Sequence, residues 1–592
     1  MGNADIAALF GQMGDMMEIL GEDPFRINSY RNAARTLAET SEDLAQLAQQ
    51  GEKALQKIPA VGKATAAKII EYCKTGRIAR HQELLAQVPP GLPAMLNIQG
   101  LGPKTILKLW REGGITSVDE LRQALAERPD KLAELHGMGE RKLTLLKDAL
   151  VYADSSTGRA RLDEALRVAE IMLSVVRGCA GVCRVEVAGS LRRWRETVGD
   201  IDLLCQCAPA DAEAVVAAFT AAPGVARVLA RGKTKGSILY GQGIQVDLRV
   251  VPEESFGAAL QYFTGAKAHN IALRGRAIER GMKLNEYGLF EEAGGQQGRQ
   301  LAGADEQGIY QVLGLAWVPP ELREGLGEVE AAAENRLPEL VQLSDMRGDF
   351  HMHTTASDGA NSIDEMIDAC RALGYRLLAI TEHSHSQHQA RGLSEEDLLA
   401  HIGRVHDAAR RHPDMLVLAG TEVDILKDGR LDYDDALLAK LDFVLASPHA
   451  ALTQKGDEAT GRLIRAIESG RVHAIGHPTG RLVNQRAGLE IDIMKVAQAA
   501  AARGVAFEVN ADPSRLDLRD IHVRAAIEAG AAIIINTDAH STDGLSLMRF
   551  GVATARRGWA RAQDVINTWP TERLREWLRA AFFRNRSLGP VH

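Results

Sequence analysis

The chain has 592 residues, 45% apolar and 25% charged, with a formal net charge of −8 and six cysteines. This length asks for several domains, and the composition is that of ordinary soluble globular protein. Apolar runs are too short to cross a bilayer, and the start lacks the basic-then-apolar pattern of a secretory signal. Ile6 stands where N-myristoylation requires Ser or Thr. The cysteines form no CxxC or regular framework, which fits a reducing cytosol and argues against a thiolate zinc site. An acidic total lowers the expectation of a nucleic-acid binder. Carboxylates clustered at metal sites give the same total, however, while the bound ions reverse the local field. Fourteen of the 17 histidines lie beyond residue 345, so the C-terminal part is chemically distinct.

Residues 1–150 read as successive helices broken at "IPAVGKATAAKII", "IQGLGPKTILKLW" and "LHGMGERKLTLLK". Each break is an apolar residue, a glycine-containing turn and an amphipathic helix carrying a basic residue, the pattern of a helix–hairpin–helix. Glycines at such turns (Gly62, Gly100 and Gly102, Gly137 and Gly139) let backbone N–H groups approach a DNA phosphate, and Lys63, Lys104 and Arg141 add charge. One copy is explained as well by a glycine-turn hairpin with solvated lysines; three copies favour a sequence-independent grip on DNA. Ala60 in the first copy replaces the usual glycine. The expected divisions are 1–82 and 83–152.

Residues 153–255 change to helix, strand "CRVEVAGS", strand "GDIDLLCQC", helix and strand "IQVDLRVV". Asp200 and Asp202 sit two apart on a strand and share a face, as do Asp247 and Arg249. Three carboxylates on neighbouring strands suit two hard cations. Ahead of them, Gly189, Ser190 and Arg193 stand at a turn where phosphate oxygens can be held. A lone DxD is usually a solvated strand edge; this ordered set is not explained that way. Residues 256–325 are mixed, and 326–345 read as an acidic connector without a strong fold signal.

From 346 to 592, apolar strand-like runs alternate with helices, the pattern of a parallel sheet closed as a barrel. His351, His353, Asp358, His383, Glu422, His449, His477, Asp538 and His540 mostly follow those runs directly, at the strand mouths where barrel enzymes build active sites. One histidine at a strand end is more often structural than a ligand; nine such residues are not explained by packing. Imidazole mixed with carboxylate suits Zn²⁺, Mn²⁺ or Fe and metal-assisted hydrolysis. Glu422 is the expected bridging ligand, and His385, His388, Arg481 and Arg515 are candidates for substrate phosphate.

Residues 1–325 resemble the nucleotidyltransferase superfamily and specifically the family X DNA polymerases, of which DNA polymerase beta is the familiar member. The resemblance rests on "GSLRRWRETVGDID", "VDLRV", "YFTG", Asn270, Arg274 and "LNEYGL". It implies that Asp200 and Asp202 ligate two Mg²⁺ (or Mn²⁺) ions and that Asp247 ligates the one activating the primer 3′-hydroxyl. It also implies that Ser190, Arg193 and the Gly199 backbone hold the triphosphate. Tyr262, Phe263 and Gly265 would line the sugar pocket, with Asn270 at the base edge and Arg274 near the template. Val198 and Lys267 depart from the family pattern, where a serine and an acidic residue stand. The family's 5′-deoxyribose-phosphate lyase pattern places Lys68 at the nucleophile, with Tyr30 and Arg31 resembling part of the 5′-phosphate pocket; a solvated helix lysine explains Lys68 equally well. A Schiff-base lysine needs burial or cationic neighbours to lower its pKa.

The nine-residue set resembles the PHP (polymerase and histidinol phosphatase) family over about residues 346–575, with all nine ligand positions of a site for up to three Zn²⁺, Mn²⁺ or Fe ions filled. The implied fold is multidomain: N-terminal α-helical helix-hairpin-helix domains, an α+β nucleotidyltransferase palm and thumb, and a C-terminal (β/α) PHP barrel. The implied activities are gap-filling DNA synthesis in base excision repair and Mn²⁺-favoured 3′→5′ exonuclease action, with abasic-site endonuclease or 3′-phosphatase action as further options. Gapped or nicked DNA and dNTP are the implied partners of a cytoplasmic, nucleoid-associated monomer. The competing expectation is a DNA-end-binding scaffold with weak synthesis and structural PHP metals.

Overall fold

The computed structural model describes residues 3–40, 44–58, 61–93, 95, 101–133, 135, 143, 159–241, 243–293 and 296–583. It falls into two units, 1–158 and 159–592.

The first unit is helical. Ile6, Phe10, Met13 and Met17 recur at helical spacing along Asn3–Ile19 and are buried. Helix Pro24–Glu39 packs on it, started by Pro24 and by Asp23, whose carboxylate accepts the N–H groups of Phe25 and Arg26 at 2.8 and 3.1 Å. Helices Lys63–Thr75 and Pro103–Arg111 begin behind Gly62 and Gly102, neither of which caps the helix with a side chain. Neither cap therefore supplies a side-chain acceptor to the first-turn N–H groups, and the Thr105 N–H goes to the Gly102 carbonyl at 2.9 Å. Gly100, Gly137, Gly139 and Arg141 lie outside the described residues, as does the side chain of Lys104.

The second unit opens with helix Leu162–Arg177 and a five-stranded sheet: β1 (Val182–Val187), β2 (Asp200–Cys207), β3 (Val225–Arg231), β4 (Lys235–Tyr240) and β5 (Ile244–Val251). The strand order is β1-β2-β5-β4-β3, with β2 and β5 parallel and the other pairs antiparallel. β3 and β4 were not expected from sequence. β3 is an edge strand with alternating exposure and two arginines, so it carries no continuous apolar run. Helices Phe256–Thr264 and Lys267–Glu279 and the antiparallel strands β6 (Met282–Asn285), β7 (Gly288–Ala293) and β8 (Gln296–Ala302) follow.

The acidic connector is folded. Glu328 starts helix Glu328–Ala333, is wholly buried, and accepts the N–H groups of Gly325 and Leu326 at 2.8 and 2.7 Å. It also lies 2.6 Å from His269 Nδ1, whose Nε2 is 2.9 Å from the Tyr310 hydroxyl. Its acidity serves a buried network, which composition alone reads as solvated spacing.

The C-terminal sheet has seven parallel strands in sequential order: β9 (Gly348–Asp349), β10 (Leu377–His383), β11 (Leu416–Asp424), β12 (Phe443–Ser447), β13 (Ala474–Ile475), β14 (Ala506–Asn510) and β15 (Ile533–Asn536). Nearly every residue of these strands is buried, as expected where helices cover a parallel sheet. The first and last strands meet just past their ends. Ala539 accepts the His353 N–H at 2.9 Å and donates its own to the His351 carbonyl at 3.3 Å. This nearly closes the barrel and brings two predicted ligand segments side by side.

The palm loop 193–197 rests on the barrel. Trp194 meets Phe550 edge-on with ring centroids 6.1 Å apart, and Phe550 and Leu516 join the palm core. Glu196 pairs with Arg481 at 2.7 Å. Arg557 donates to the Arg193 carbonyl at 2.7 Å, to Glu324 at 2.9 Å and to Asp520 at 2.5 Å. Burial alone would raise the Glu324 pKa, but Arg557, Arg193 and Arg195 hold it down to about 2.

Candidate active sites

In the palm, the parallel β2/β5 register sets Asp202 opposite Asp247 and Asp200 opposite Gln245. Core residues Ile201 and Leu203 alternate with the two carboxylates on β2. One oxygen from each of Asp200, Asp202 and Asp247 lies within 4.8 Å of the others. Gly189 approaches this cluster with φ 63°, and a Cβ there would run into the Asp202 carboxylate, so both the conformation and the space demand glycine. Burial, then Asp200 and Asp247, push Asp202 up to about 7; burial and Asp247 also raise Asp200. Carboxylates held at such mutual cost fit hard divalent cations, which remove the repulsion. Asp247 accepts the Ser237 hydroxyl and lies within 3.3 Å of the Gln245 amide.

The expected nucleotide residues divide. Ser190 lies on the short turn Gly189–Arg192 directly after β1, and Gly199 precedes Asp200. Tyr262 and Phe263 stand edge-to-face at 5.1 Å, and the Arg249 guanidinium lies 4.5 Å over the Phe263 ring. Asn270 instead braces the "YFTG" turn. Its amide donates to the Tyr262 and Gly265 carbonyls at 2.7 and 3.1 Å and accepts from Gln261 at 2.8 Å. Arg274 donates to the Asn270 carbonyl at 3.2 Å. Arg193 points into the domain junction, with Nε on Glu324 at 2.9 Å and Nη1 on the Thr264 carbonyl at 2.6 Å. Val198 is buried, consistent with an apolar residue at that site.

In the barrel, all nine expected ligands converge. His353, Asp358, His383 and His540 form one group with ligand atoms within 4.8 Å; His351, His353 and Asp538 form a second; His383, Glu422 and His449 form a third. The shared residues His353 and His383 make the three groups contiguous. His477 joins through Glu422, its Nε2 lying 2.8 Å from Oε1. Glu422 also meets His383 Nδ1 at 2.8 Å, His449 Nε2 at 3.3 Å and His351 Nε2 at 3.4 Å, a central place that suits a bridging ligand. His477 and Asp538 hold left-handed backbone (φ 24° and 55°), strain of the kind found at functional sites.

The donor set fits metal ions on one further observation. His351 Nε2, both ring nitrogens of His353, His477 Nδ1 and Glu422 Oε2 are buried without a hydrogen-bond partner. Leaving such groups unmade is costly. Charges in the cluster are also strongly displaced. Burial and then His383 lower the His353 pKa to about 3. Burial likewise opposes charge on His449, yet Glu422 and Asp424 raise it to about 10. Asp358, which burial would raise, is held at about 2 by His540, His383 and His353.

Sequence reasoning missed the outer carboxylates. Asp424 meets His449 Nδ1 at 2.5 Å, Glu508 meets His351 Nδ1 at 2.7 Å, and Glu382 accepts the Thr354 and Ser357 hydroxyls beneath the His353–Asp358 loop. Asp424 and Glu382 stand within two residues of ligands in "GTEVD" and "TEHS", which was the available signal. Of the phosphate candidates, Arg481 is taken by Glu196 and by the Arg515 and Leu516 carbonyls. Arg515 Nε lies 3.7 Å from the ligand Asp538, and His385 and His388 face each other edge-on at 5.2 Å.

In the first unit, Lys68 is half-buried. Its Nζ donates to the Ala64 carbonyl at 3.3 Å and lies 5.7 Å from the Tyr30 ring centroid.

A nucleotidyltransferase palm with a three-carboxylate cluster, joined to a barrel in which nine imidazole and carboxylate side chains converge, defines a phosphoryl-transfer protein with two candidate metal centres. Comparison with known proteins is consistent along the chain. A helix-hairpin-helix domain matches residues 1–78, a SAM-like helix-hairpin-helix tandem 92–151, a DNA polymerase beta thumb 259–324 and a PHP domain 349–512. Over 570 residues the chain is 36% identical to the DNA polymerase/3′-5′ exonuclease PolX of Bacillus subtilis (strain 168), covering 96% of this chain and 97% of that protein. It is also 30% identical over 238 residues to a probable phosphatase of Shewanella sp. (strain MR-4), 38% of this chain and 85% of that one. A probable phosphatase of Enterobacter sp. (strain 638) is 32% identical over 203 residues, covering 33% and 78%. The chain belongs to the family X DNA polymerases that carry a C-terminal PHP domain.

Proposed function

We propose that this chain fills short gaps in DNA and processes the 3′ end with its barrel. The observation that carries the reading is the convergence in one unit of two candidate ligand sets, Asp200/Asp202/Asp247 and the barrel cluster that His477 joins through Glu422. Asp200 and Asp202 would hold two Mg²⁺ or Mn²⁺ ions and Asp247 one of them; such ions activate an attacking oxygen and neutralise the leaving group. Ser190, Gly199, Tyr262, Phe263 and Gly265 would be the dNTP contacts. Arg193 would have to exchange Glu324 for the triphosphate, and Asn270 acts by shaping the turn beneath the sugar.

The barrel ligands would hold up to three Zn²⁺, Mn²⁺ or Fe ions, which supply Lewis acidity and an activated water to a DNA phosphoester. Ionic grip on the scissile phosphate falls to Arg515, the candidate cation beside Asp538. Gly62, Lys63, Gly102 and Tyr30 would hold gapped or nicked DNA through open helix N-termini and charge, with Lys104, Gly100, Gly137 and Gly139 in the same roles. Lys68 beside Tyr30 is the candidate lyase nucleophile. We place the protein, as a monomer, on nucleoid DNA in the cytoplasm, in base excision repair.

A one-nucleotide gapped duplex, incubated with and without dNTP in Mg²⁺ and then Mn²⁺, tests the reading. Gap filling with dNTP and 3′ shortening without it are expected. Shortening that persists after loss of the barrel ligands sinks the two-centre assignment.

A further inference from the structure

Glu508 is not among the nine ligands, yet two of them rest on it. It lies wholly buried on β14. Its Oε1 is 2.7 Å from His351 Nδ1, and its Oε2 accepts the His477 backbone N–H at 2.6 Å. Asn536 donates its amide to Oε1 at 2.9 Å, and that amide cannot turn round, because its own oxygen accepts the Phe350 N–H at 3.0 Å. Asn536 and His477 thus offer only donors, and Glu508 serves as an acceptor. His351 must then present Nδ1–H, so that in the neutral ring the lone pair is on Nε2, which lies 3.3 Å from Asp538 Oδ1 and 3.4 Å from Glu422 Oε1. That Nε2 is one of the buried atoms without a hydrogen-bond partner. The second oxygen holds His477 at its strained φ of 24°.

We propose that Glu508 is the positioning residue of the barrel centre. One carboxylate fixes the ring tautomer of His351 and the backbone of His477, so both ligands meet the ions ready to bind. Asp424 performs the first of these tasks for His449, accepting from Ser386 and Gln387 with its other oxygen. Glu508 joins two ligands from different strand ends. Carboxylates behind metal-bound imidazoles typically contribute about 10–100-fold in metal affinity. Glutamine cannot replace glutamate here: with its oxygen toward His351 and Asn536, its amide would face the His477 N–H, donor against donor.

The inference rests on the barrel being a metal centre, and the test separates the two ideas. Full-length protein carrying Asp200→Asn and Asp202→Asn, stripped with chelator, is titrated with Mn²⁺ alone while free Mn²⁺ is followed by electron paramagnetic resonance. Melting of the metal-free form is measured in parallel. Tight binding in this background, about tenfold or more weaker for at least one ion in Glu508→Gln and partly restored in Glu508→Asp, is expected. A purely structural residue would lower the metal-free melting temperature and leave the Mn²⁺ affinity unchanged. Affinities of Glu508→Gln and Glu508→Asp within twofold of the background protein overturn the assignment while leaving the metal centre standing. No Mn²⁺ binding in the background protein overturns both.

Discussion

Replacing Arg557 by Met at the palm–barrel junction removes the cation shared by Glu324 and Asp520. Breaking a buried pair by deleting one partner costs about 3–5 kcal/mol, because the remaining charge stays desolvated. The pH dependence identifies the source. Glu324 is held at about 2 against an ordinary 4.5, so its pairing contributes roughly 3 kcal/mol above pH 4.5. The folded pKa is the lower one, so this contribution is complete at neutral pH and is lost as pH falls from about 4.5 towards 2. At pH 3 less than half of it remains. Urea unfolding of wild type and Arg557→Met, followed by tryptophan fluorescence at pH 7 and pH 3, should show a gap between the proteins that is smaller at the lower pH; Glu324 accounts for at most about 2 kcal/mol of the narrowing, because Arg193 and Arg195 still face it in the variant. A constant gap would refute the ion-pair account and leave lost packing as the cause.

Asp247→Ala should reduce nucleotide addition by at least about a thousandfold, since a metal ligand supports several kcal/mol of transition-state stabilisation, while 3′ shortening of DNA in gel assays persists. The His351→Ala/His353→Ala protein should show the reverse pattern, with synthesis kept and shortening lost. Gly189→Ala should cost about a hundredfold in nucleotide addition, because the new methyl displaces the Asp202 carboxylate; near-normal addition would mean the turn relaxes. Lys68→Ala should abolish borohydride trapping on a 5′-deoxyribose-phosphate end, and unchanged trapping would clear that lysine.

Much of both side-chain clusters was legible because their members sit at points sequence marks well. The DxD lies on a strand whose alternation is unmistakable, and the barrel histidines and carboxylates mostly follow short apolar runs. Glu508 was illegible for the opposite reason: its partner His351 is 157 residues away, and a glutamate inside "AFEVN" looks like any strand residue. The fate of Arg193 could not be read either, since Glu324 lies 131 residues further on in a different subdomain. The acidic stretch 326–345 misled because composition reports charge and not burial, and Glu328 spends its charge on two backbone N–H groups and His269.

The loop that leads into Asp200 is built from both halves of the unit. Trp194 is seated on Phe550, Glu196 on Arg481, and the Arg193 carbonyl on Arg557. A polymerase fragment ending near residue 345 would therefore be an amputation and not a domain dissection: its catalytic loop would lose the aromatic ring and the two guanidinium groups that set its path. The barrel thus doubles as scaffolding for the polymerase half, whatever chemistry it performs itself.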